Sequence, residues 1–319
     1  MKSLFKYMPL REDFFRDPLF RLTPPYDLND PFDSKPTKEA IRKKIAFMTD
    51  RIGEGAGYIS DEEVELKHGD LSRHLQTELH RFGIISMTEN PRNLLMWSHY
   101  ADEHRGIVVE LYNSEDTFKH SKSEFHACRL TAKEAVRVIY DQNRPSKNIP
   151  DECIFSIYED AFFKHFALVK SDHWMHEKEH RFIVPTSHAD IAMFTLNDKN
   201  LPVSGLEDYL TQRNLPFSRK EDCFLFEHEN LDHLISSFGK TIGDQNLNSL
   251  GHFRYYKRAN PDSIRGIYFG CKVSDTCIRS AMSMVLKNQR FSANLNFYQA
   301  KESSDRFEIE FFPIHEKSI

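Results

Sequence analysis

The segment from Trp174 to Val184 concentrates side chains that can do acid–base or metal chemistry. It reads Trp-Met-His-Glu-Lys-Glu-His-Arg-Phe-Ile-Val, so charged and imidazole groups come directly before an apolar run. On a helix, His176 and His180 would lie one turn apart and bind zinc, with Glu177 as general base. On a strand, residues 177, 179 and 181 would point to the same side. The secondary structure of this segment therefore decides its chemistry.

The residues within and after the motif favour the strand. A zinc-motif helix normally packs on the core, yet its middle positions here are Lys178 and Glu179. The run Phe182-Ile-Val-Pro185 is typical of a strand that a proline ends, and no third ligand is marked, so we predict no metal site. Two neighbouring carboxylates raise the pKa of one of them unless a cation offsets the repulsion, and Arg181 is expected to be that cation. The simplest alternative is a solvated edge strand that carries an ion pair.

A second motif, Leu94 to Ala101, reads Leu-Leu-Met-Trp-Ser-His-Tyr-Ala. At helical spacing almost its whole circumference is apolar or aromatic, which predicts a buried helix. A buried His99 and a buried Tyr100 would each need a hydrogen-bond partner. A core histidine bonded to a backbone carbonyl is the simplest expectation for His99.

The elements that must position these residues mix without a regular β-α-β rhythm, and no glycine-rich phosphate loop is present. This pattern predicts an α+β fold with a mixed or antiparallel central sheet flanked by helices. The apolar run 107–111 is expected to be a central strand. Strands are predicted at 4–7, 82–88, 107–111, 136–140, 176–184, 264–270, 297–300 and 307–312, and helices at 38–50, 71–82, 94–101, 152–170 and 275–288.

Composition indicates one domain spanning residues 1–319. The 319 residues are 39% apolar and 13% aromatic, which is enough to bury a full core. Residues 186–260 lack strong periodicity and are predicted to be an insertion within that domain.

Charge and cysteine usage narrow the class of protein. A formal charge of −5 gives no overall basic field for nucleic acid. The five cysteines are an odd number without a C-x-x-C pair, which is typical of free thiols in a reducing compartment. No apolar stretch approaches the roughly 18 residues of a membrane span, and the first residues lack a signal-peptide run. We therefore expect a cytoplasmic protein without membrane contact.

Five sequence blocks follow one another along the chain. They are Leu4–Tyr7, Leu28–Asp33, Ser86 with Met96–Ala101 and His104-x-Gly106, Trp174–Arg181, and Ile267–Gly270. Together they resemble the bacterial family catalogued as domain of unknown function 2971. Proteins of this kind occur among abortive-infection and other phage-defence genes, so the resemblance implies a partner protein from a defence operon.

The same order of blocks is similar, more distantly, to the ADP-ribosyltransferase superfamily. In that fold a first strand carries a polar residue that contacts NAD, a second ends in small hydroxyl residues, and a later strand carries the catalytic glutamate. This chain departs from the pattern at two places. Lys6 or Tyr7 stands where the superfamily usually has Arg or His, and Ser86-x-Thr88 replaces Ser-Thr-Ser.

The resemblance implies an ADP-ribosyltransferase-like core with helical insertions and NAD as substrate. Glu179 would stabilise the oxocarbenium-like transition state, and Glu177 would orient or deprotonate the acceptor, which is a protein, a nucleic acid or water. The expected function is an NAD-cleaving toxin or phage-defence effector. The residues expected to contact NAD are Lys6, Tyr7, Asn29, Asp30, Ser86, His99, Tyr100 and Arg181.

Two other functions fit the residues. In the first, the charged strand is a recognition surface, and the protein is a non-catalytic binding or sensor protein of a defence system. In the second, His99 and His104 hold a metal in a metal-dependent hydrolase or nuclease.

Overall fold

A computed structural model shows two β-sheets with helices around them. The described residues are 3–51, 60–67, 69, 75, 82–118, 134–145, 149–154, 159–197, 204–212, 214–220, 223–227, 241–242, 245–246 and 251–315. Within them the larger sheet is mixed and mostly antiparallel. The predicted α+β class is confirmed.

The first sheet has eight strands in the spatial order β17-β16-β15-β4-β1-β3-β8-β5 among the described residues. Only β15 and β16 run parallel to each other, and β4 lies in the interior, as predicted. The strands are β1 (Ser3–Met8), β3 (Phe82–Thr88), β4 (Ile107–Tyr112), β5 (Val136–Arg137), β8 (Glu179–Pro185), β15 (Ile264–Phe269), β16 (Asn296–Glu302) and β17 (Ile309–Pro313).

The second sheet draws most of its strands from residues 186–260. Its order is β10-β11-β9-β14-β2, so the long strand β14 pairs with a strand near the start of the chain. The strands are β2 (Leu19–Leu22), β9 (Ile191–Leu196), β10 (Ser218–Lys220), β11 (Cys223–Glu227) and β14 (Gly251–Arg258). Two short pairs complete the strands, β6 (Ile139–Asp141) with β7 (Val169–Ser171) and β12 (Thr241–Ile242) with β13 (Gln245–Asn246).

The two sheets share one apolar core. Side chains alternate between the faces of a strand, and one face of the first sheet contributes Leu4, Met8 and Val109. The facing side chains of the second sheet, such as Phe194 and Phe224, belong to the same buried cluster. Residues 186–260 therefore supply the layer that covers this face of the first sheet.

Helices lie on both faces of the first sheet. They are α1 (Glu12–Arg16), α2 (Lys38–Arg51), α3 (Asp61–Lys67), α4 (Leu94–Tyr100), α5 (Asp151–Ile154), α6 (Glu159–Ala167), α7 (Ser204–Gln212) and α8 (Asp275–Leu286). Residues of α2, α5 and α6 pack with Ile84 and Ile183 of the sheet. Helix α4 packs on the same sheet through Met96 and Trp97, beside Tyr7 and Val108.

Two predicted helices need correction. The single helix expected over 152–170 is wrong, because α6 ends at Ala167 and residues 169–171 form β7, which pairs with β6. The helix expected over 71–82 lies almost wholly outside the described residues, and Phe82 already belongs to β3.

The sequence predicted that helix α4 would be buried on all sides, and this prediction is wrong. Trp97 is fully buried, but Leu95 is 50% exposed and His99 is also exposed. The helix packs on the sheet through one side only, so its outer apolar positions face solvent.

Candidate functional site

The segment around Glu177 changes conformation in the middle of the motif. Asp172–Glu177 form a 3-10 helix, Lys178 takes a left-handed backbone with φ 46°, and β8 begins at Glu179. The predicted strand is therefore confirmed from Glu179 onward and is wrong for Glu177. His176 and His180 do not share a helical face, and the described residues contain no group of three or more His, Cys, Asp or Glu side chains able to hold a metal ion.

Both glutamates nevertheless converge on one ammonium group. Lys170 of β7 donates from Nζ to Glu177 Oε2 at 2.6 Å and to Glu179 Oε2 at 3.0 Å. The Trp174 ring lies over the same nitrogen, with its centroid at 4.9 Å. Sequence analysis missed Lys170, because its strand was taken for the end of a helix. A lysine just after a phenylalanine-rich run was the signal available.

Arg181 is fully buried, and all of its N–H groups donate hydrogen bonds to other residues of the protein. Its guanidinium binds both oxygens of Asp33, at 2.8 and 2.6 Å, and both oxygens of Glu179, at 2.8 and 2.9 Å. Nη1 also donates to Ser34 Oγ and to the Ala167 carbonyl. Arg181 is thus the expected cation beside Glu179, and no donor remains for a phosphate. Asp33, which joins the Asn29–Ser34 loop to β8, was not singled out by the sequence.

These contacts keep the cluster charged. Burial alone would raise the pKa of Glu179, but the charges of Arg181 and Lys170 outweigh it and hold that pKa well below its ordinary value. Burial would lower the pKa of Lys170, but Glu179 and Glu177 raise it above the usual range. When all groups are ionised, the three carboxylates at 33, 177 and 179 face two cations, an excess of one negative charge.

A cavity of about 270 Å³ opens beside this cluster. It lies where β1 and β3 diverge within the first sheet. These two strands share one register pair, Phe5 with Thr88. Where the backbone pairing stops, Lys6 Nζ donates to the Ser86 carbonyl at 2.8 Å. The cavity wall includes Lys6, Tyr7, Arg21, Asn29, Ser86, Tyr100, Lys170, Glu177, Glu179 and Arg181.

Two tyrosines shape the cavity differently. The half-buried Tyr100 donates its hydroxyl to Glu177 Oε1 at 2.6 Å and accepts a bond from Asn29 Nδ2 at 3.2 Å. Tyr7 packs edge-on against Trp97, and its hydroxyl donates to the Asn90 carbonyl. Tyr100 therefore borders the opening beside Glu177, whereas Tyr7 is a fixed part of the wall.

Two residues expected at the NAD site lie elsewhere. Asp30 is buried, its Oδ1 accepts a bond from the Phe32 amide, and it lines a neighbouring cavity of about 280 Å³. His99 is exposed and lines neither cavity. The fold brings together the other expected residues, from β1, β3, α4, β8 and the 29–34 loop.

Lys6 and Arg21 stand out electrostatically among the lining residues. Burial lowers the pKa of Lys6 to about 8, against the attraction of Glu179 and Glu177 and with the help of Arg21 and Lys170. Arg21 of β2 binds Asp27 at 2.7 Å through Nη2, whereas its Nε is buried and has no hydrogen-bond partner among the described residues. The sequence analysis had not considered Arg21, because β2 was hidden in a proline-rich stretch.

Residues 96–182 match the model of a family described as "Protein of unknown function (DUF2971)". The matched segment runs from Met96 in α4 to Phe182 in β8, so the expected resemblance to this family is confirmed over these residues. Neither a curated protein nor a solved structure matches the chain significantly, and the resemblance to ADP-ribosyltransferases is not confirmed. No helix among the residues described is long and apolar enough to cross a membrane.

Proposed function

We propose that this chain is an NAD-cleaving enzyme of the ADP-ribosyltransferase type, with the nicotinamide–ribose end of NAD bound in the cavity. The observation that carries the proposal is the convergence of Lys6, Ser86 and Glu179 on one cavity, from three neighbouring strands of the sheet. Ligand pockets usually measure about 300–1,000 Å³. At about 270 Å³, this cavity suits one half of a dinucleotide rather than the whole molecule.

The charge of the cluster fits the reaction. When the bond between nicotinamide nitrogen and ribose C1 breaks, the electron pair leaves with nicotinamide and positive charge develops on the ribose ring. A fixed carboxylate beside that ring lowers the barrier because it is already oriented. Glu179 is suited to this role, since Arg181 and Lys170 hold it ionised and in place.

In this proposal Glu177 is the general base that accepts the proton of the acceptor. One of its oxygens binds Lys170 and the other accepts the Tyr100 hydroxyl at 2.6 Å. In the proposed reaction the acceptor displaces this hydroxyl, gives its proton to Glu177 and bonds to ribose C1. Tyr100 lies where it can cover the nicotinamide ring.

The phosphates of NAD need a cationic partner, and the free donors favour Arg21 over Arg181 for this contact. Arg181 has no free donor, so it orients Glu179 instead of touching NAD. Arg21 has a buried Nε without a hydrogen-bond partner in the part of the chain that the structure describes, and it takes this role in the proposal. Asn29, held by Tyr100, is the group offered to ribose hydroxyls.

The test is nicotinamide release from labelled NAD, with and without cell extract. Wild-type protein should release nicotinamide, and Glu179→Gln should lower the rate by about 10²–10³-fold, the usual effect of losing one preorganised electrostatic group. Asp190→Asn is a matched control, because Asp190 pairs with the buried Lys257 at 3.0 Å and lies outside the cavity. This control should keep the wild-type rate.

Glu179→Gln leaves buried cations less compensated and can reduce stability, so circular dichroism must show it folded. Tyr100→Phe is a second variant, since it removes one hydroxyl from a half-buried side chain. Because the acceptor must displace this hydroxyl from Glu177, its removal should weaken NAD binding through loss of the Asn29 contact without slowing the transfer to an acceptor. Full NAD consumption by folded Glu179→Gln would refute the proposal, as would the absence of release by the wild type with every extract.

A second candidate function, ligand binding without turnover, is supported by one observation. Both oxygens of Glu179 already accept hydrogen bonds from Arg181, and one of them also binds Lys170. A carboxylate so fully paired is typical of a structural ion-pair network. Under this function, calorimetry detects NAD binding while no nicotinamide is released.

A further inference from the structure

The half-buried Lys6 differs from two of the buried lysines of the fold. Lys170 and Lys257 each hold a carboxylate, at 2.6 and 3.0 Å. Lys6 forms no ion pair within the described part of the chain, and its hydrogen bond goes to the Ser86 carbonyl at 2.8 Å. An ammonium group has three donors, so its contacts within the protein are incomplete on the side of the cavity.

Burial favours a neutral amine at this position, against the attraction of Glu179 and Glu177. The carboxylates at 177 and 179 are already bound by Lys170 and Arg181, while Arg21 adds a further positive charge to the same cavity. With the pKa of Lys6 at about 8, roughly one tenth of the side chain is neutral at pH 7, against well under a thousandth for an ordinary lysine. A neutral lysine amine in a cavity is a nucleophile for carbonyl carbons.

We propose that Lys6 forms a reversible imine with the open-chain aldehyde of a phosphorylated ribose bound in this cavity. In this step the Lys6 nitrogen bonds to the aldehyde carbon, and the carbon–oxygen double bond breaks. The oxygen leaves as water with the two protons that the amine gives up. No oxidant or further reactant is required, and hydrolysis reverses the step. The activity goes beyond NAD cleavage, because it needs only a sugar aldehyde.

The phosphate in this ligand class is indicated by Arg21. Its buried Nε has no hydrogen-bond partner among the described residues, and buried donors are normally satisfied. Phosphate oxygens are among the acceptors that a guanidinium binds strongly. Asn29 and Tyr100, on the same cavity wall, can bind the sugar hydroxyls. A phosphorylated aldose therefore offers the aldehyde, the phosphate and the hydroxyls that Lys6, Arg21, Asn29 and Tyr100 would bind.

The test is reductive trapping. Full-length protein is incubated with ribose 5-phosphate and cyanoborohydride, and the modified lysines are mapped by peptide mass spectrometry. Lys6 should be modified at least tenfold faster than exposed lysines such as Lys287. Lys6→Arg should abolish that signal and leave the other sites unchanged. Unphosphorylated ribose should react more slowly, and Arg21→Gln should remove the advantage of the phosphate.

The outcomes separate this inference from the proposed function. Modification of Lys6 no faster than that of exposed lysines, in protein shown folded by circular dichroism, would overturn the imine. Trapping at Lys6 without any release of nicotinamide from NAD would uphold the imine and refute NAD cleavage. Nicotinamide release without trapping at Lys6 would uphold NAD cleavage and refute the imine. A heat-denatured sample must lose the preference for Lys6.

Discussion

At the scale of single residues, the site is defined by how carboxylates and cations are paired. The motif predicted that Glu177 and Glu179 would need a cation, and Arg181 is bonded to Glu179 as expected. The second cation, Lys170, and the third carboxylate, Asp33, come from segments that only tertiary structure brings to the motif. Pairing at such distances in sequence leaves no local pattern, so it could not be predicted.

Glu179 should make the protein sensitive to acid. Its pKa in the folded state lies below its ordinary value of 4.5, so the folded protein binds fewer protons there than the unfolded chain. The stability it contributes is complete above about pH 4.5 and is lost as the pH falls below that value. At pH 7, Glu179→Gln should cost about 3–5 kcal/mol, because it breaks a buried ion pair. Urea unfolding at pH 7 and pH 3 measures both effects.

The control for this prediction is Glu207→Gln. Glu207 pairs with Arg219 on the surface, where the two side chains are 34% and 42% exposed. Such surface pairs contribute at most about 1 kcal/mol. The difference between wild type and Glu179→Gln should shrink at pH 3. An equal difference at both pH values would contradict the assignment of a depressed pKa to Glu179.

Lys6 should impose a pH dependence on the proposed nicotinamide release. The groups that set its charge are Glu179 and Glu177, which favour the ammonium, and Arg21 and Lys170, which oppose it. Loss of its proton makes the cavity more negative, so the rate should rise as the pH passes through about 8. Lys6→Gln should remove this rise. A rise that persists unchanged in Lys6→Gln would show that another group is responsible.

At the scale of elements, Asn93 couples the helix α4 to the 3-10 segment that carries Glu177. Its Oδ1 caps α4 by accepting bonds from the amides of Leu95 and Met96, and its Nδ2 donates to the His176 carbonyl at 2.7 Å. One side chain therefore fixes both the start of α4 and the end of the 3-10 segment that carries Glu177.

Two substitutions should separate these roles. Asn93→Ala removes the cap and the bond to His176, and should cost about 1–2 kcal/mol. Asn93→Asp keeps a capping acceptor but lacks the amide donor. Hydrogen exchange should accelerate at 172–177 in both variants, and at 94–100 only in the alanine variant. Equal protection at 172–177 in wild type and Asn93→Asp would mean that the His176 bond does not hold this segment.

Sequence patterns located the long apolar strands and failed for the short ones. The runs 82–88 and 107–112 are seven and six residues long and rich in apolar side chains, and both were predicted close to their observed bounds. The strand Leu19–Leu22 has four residues between prolines, and Val169–Ser171 has three after a helix. Such short segments become strands because a partner strand binds them, which local sequence does not encode.

At the scale of the whole molecule, the second sheet is what sequence analysis could not foresee. Strand β14 pairs with β2 in the register Tyr255 to Leu22, a contact between opposite ends of the chain. The alternation of buried side chains in β9 and β11 is present but brief, so residues 186–260 looked irregular. The class of the fold followed from local patterns, whereas the layer under the first sheet depends on these distant pairings.

Because both sheets share one core, they should unfold together. Phe194 is 1% exposed and belongs to the cluster that also holds Val109 of the first sheet. Phe194→Ala should cost about 3–5 kcal/mol, and Met193→Ala, on the outer face of the same strand, should cost much less. Native-state hydrogen exchange should show the same loss of protection at 191–196 and at 107–112 in Phe194→Ala. Faster exchange at 191–196 alone would show that residues 186–260 open as a separate unit.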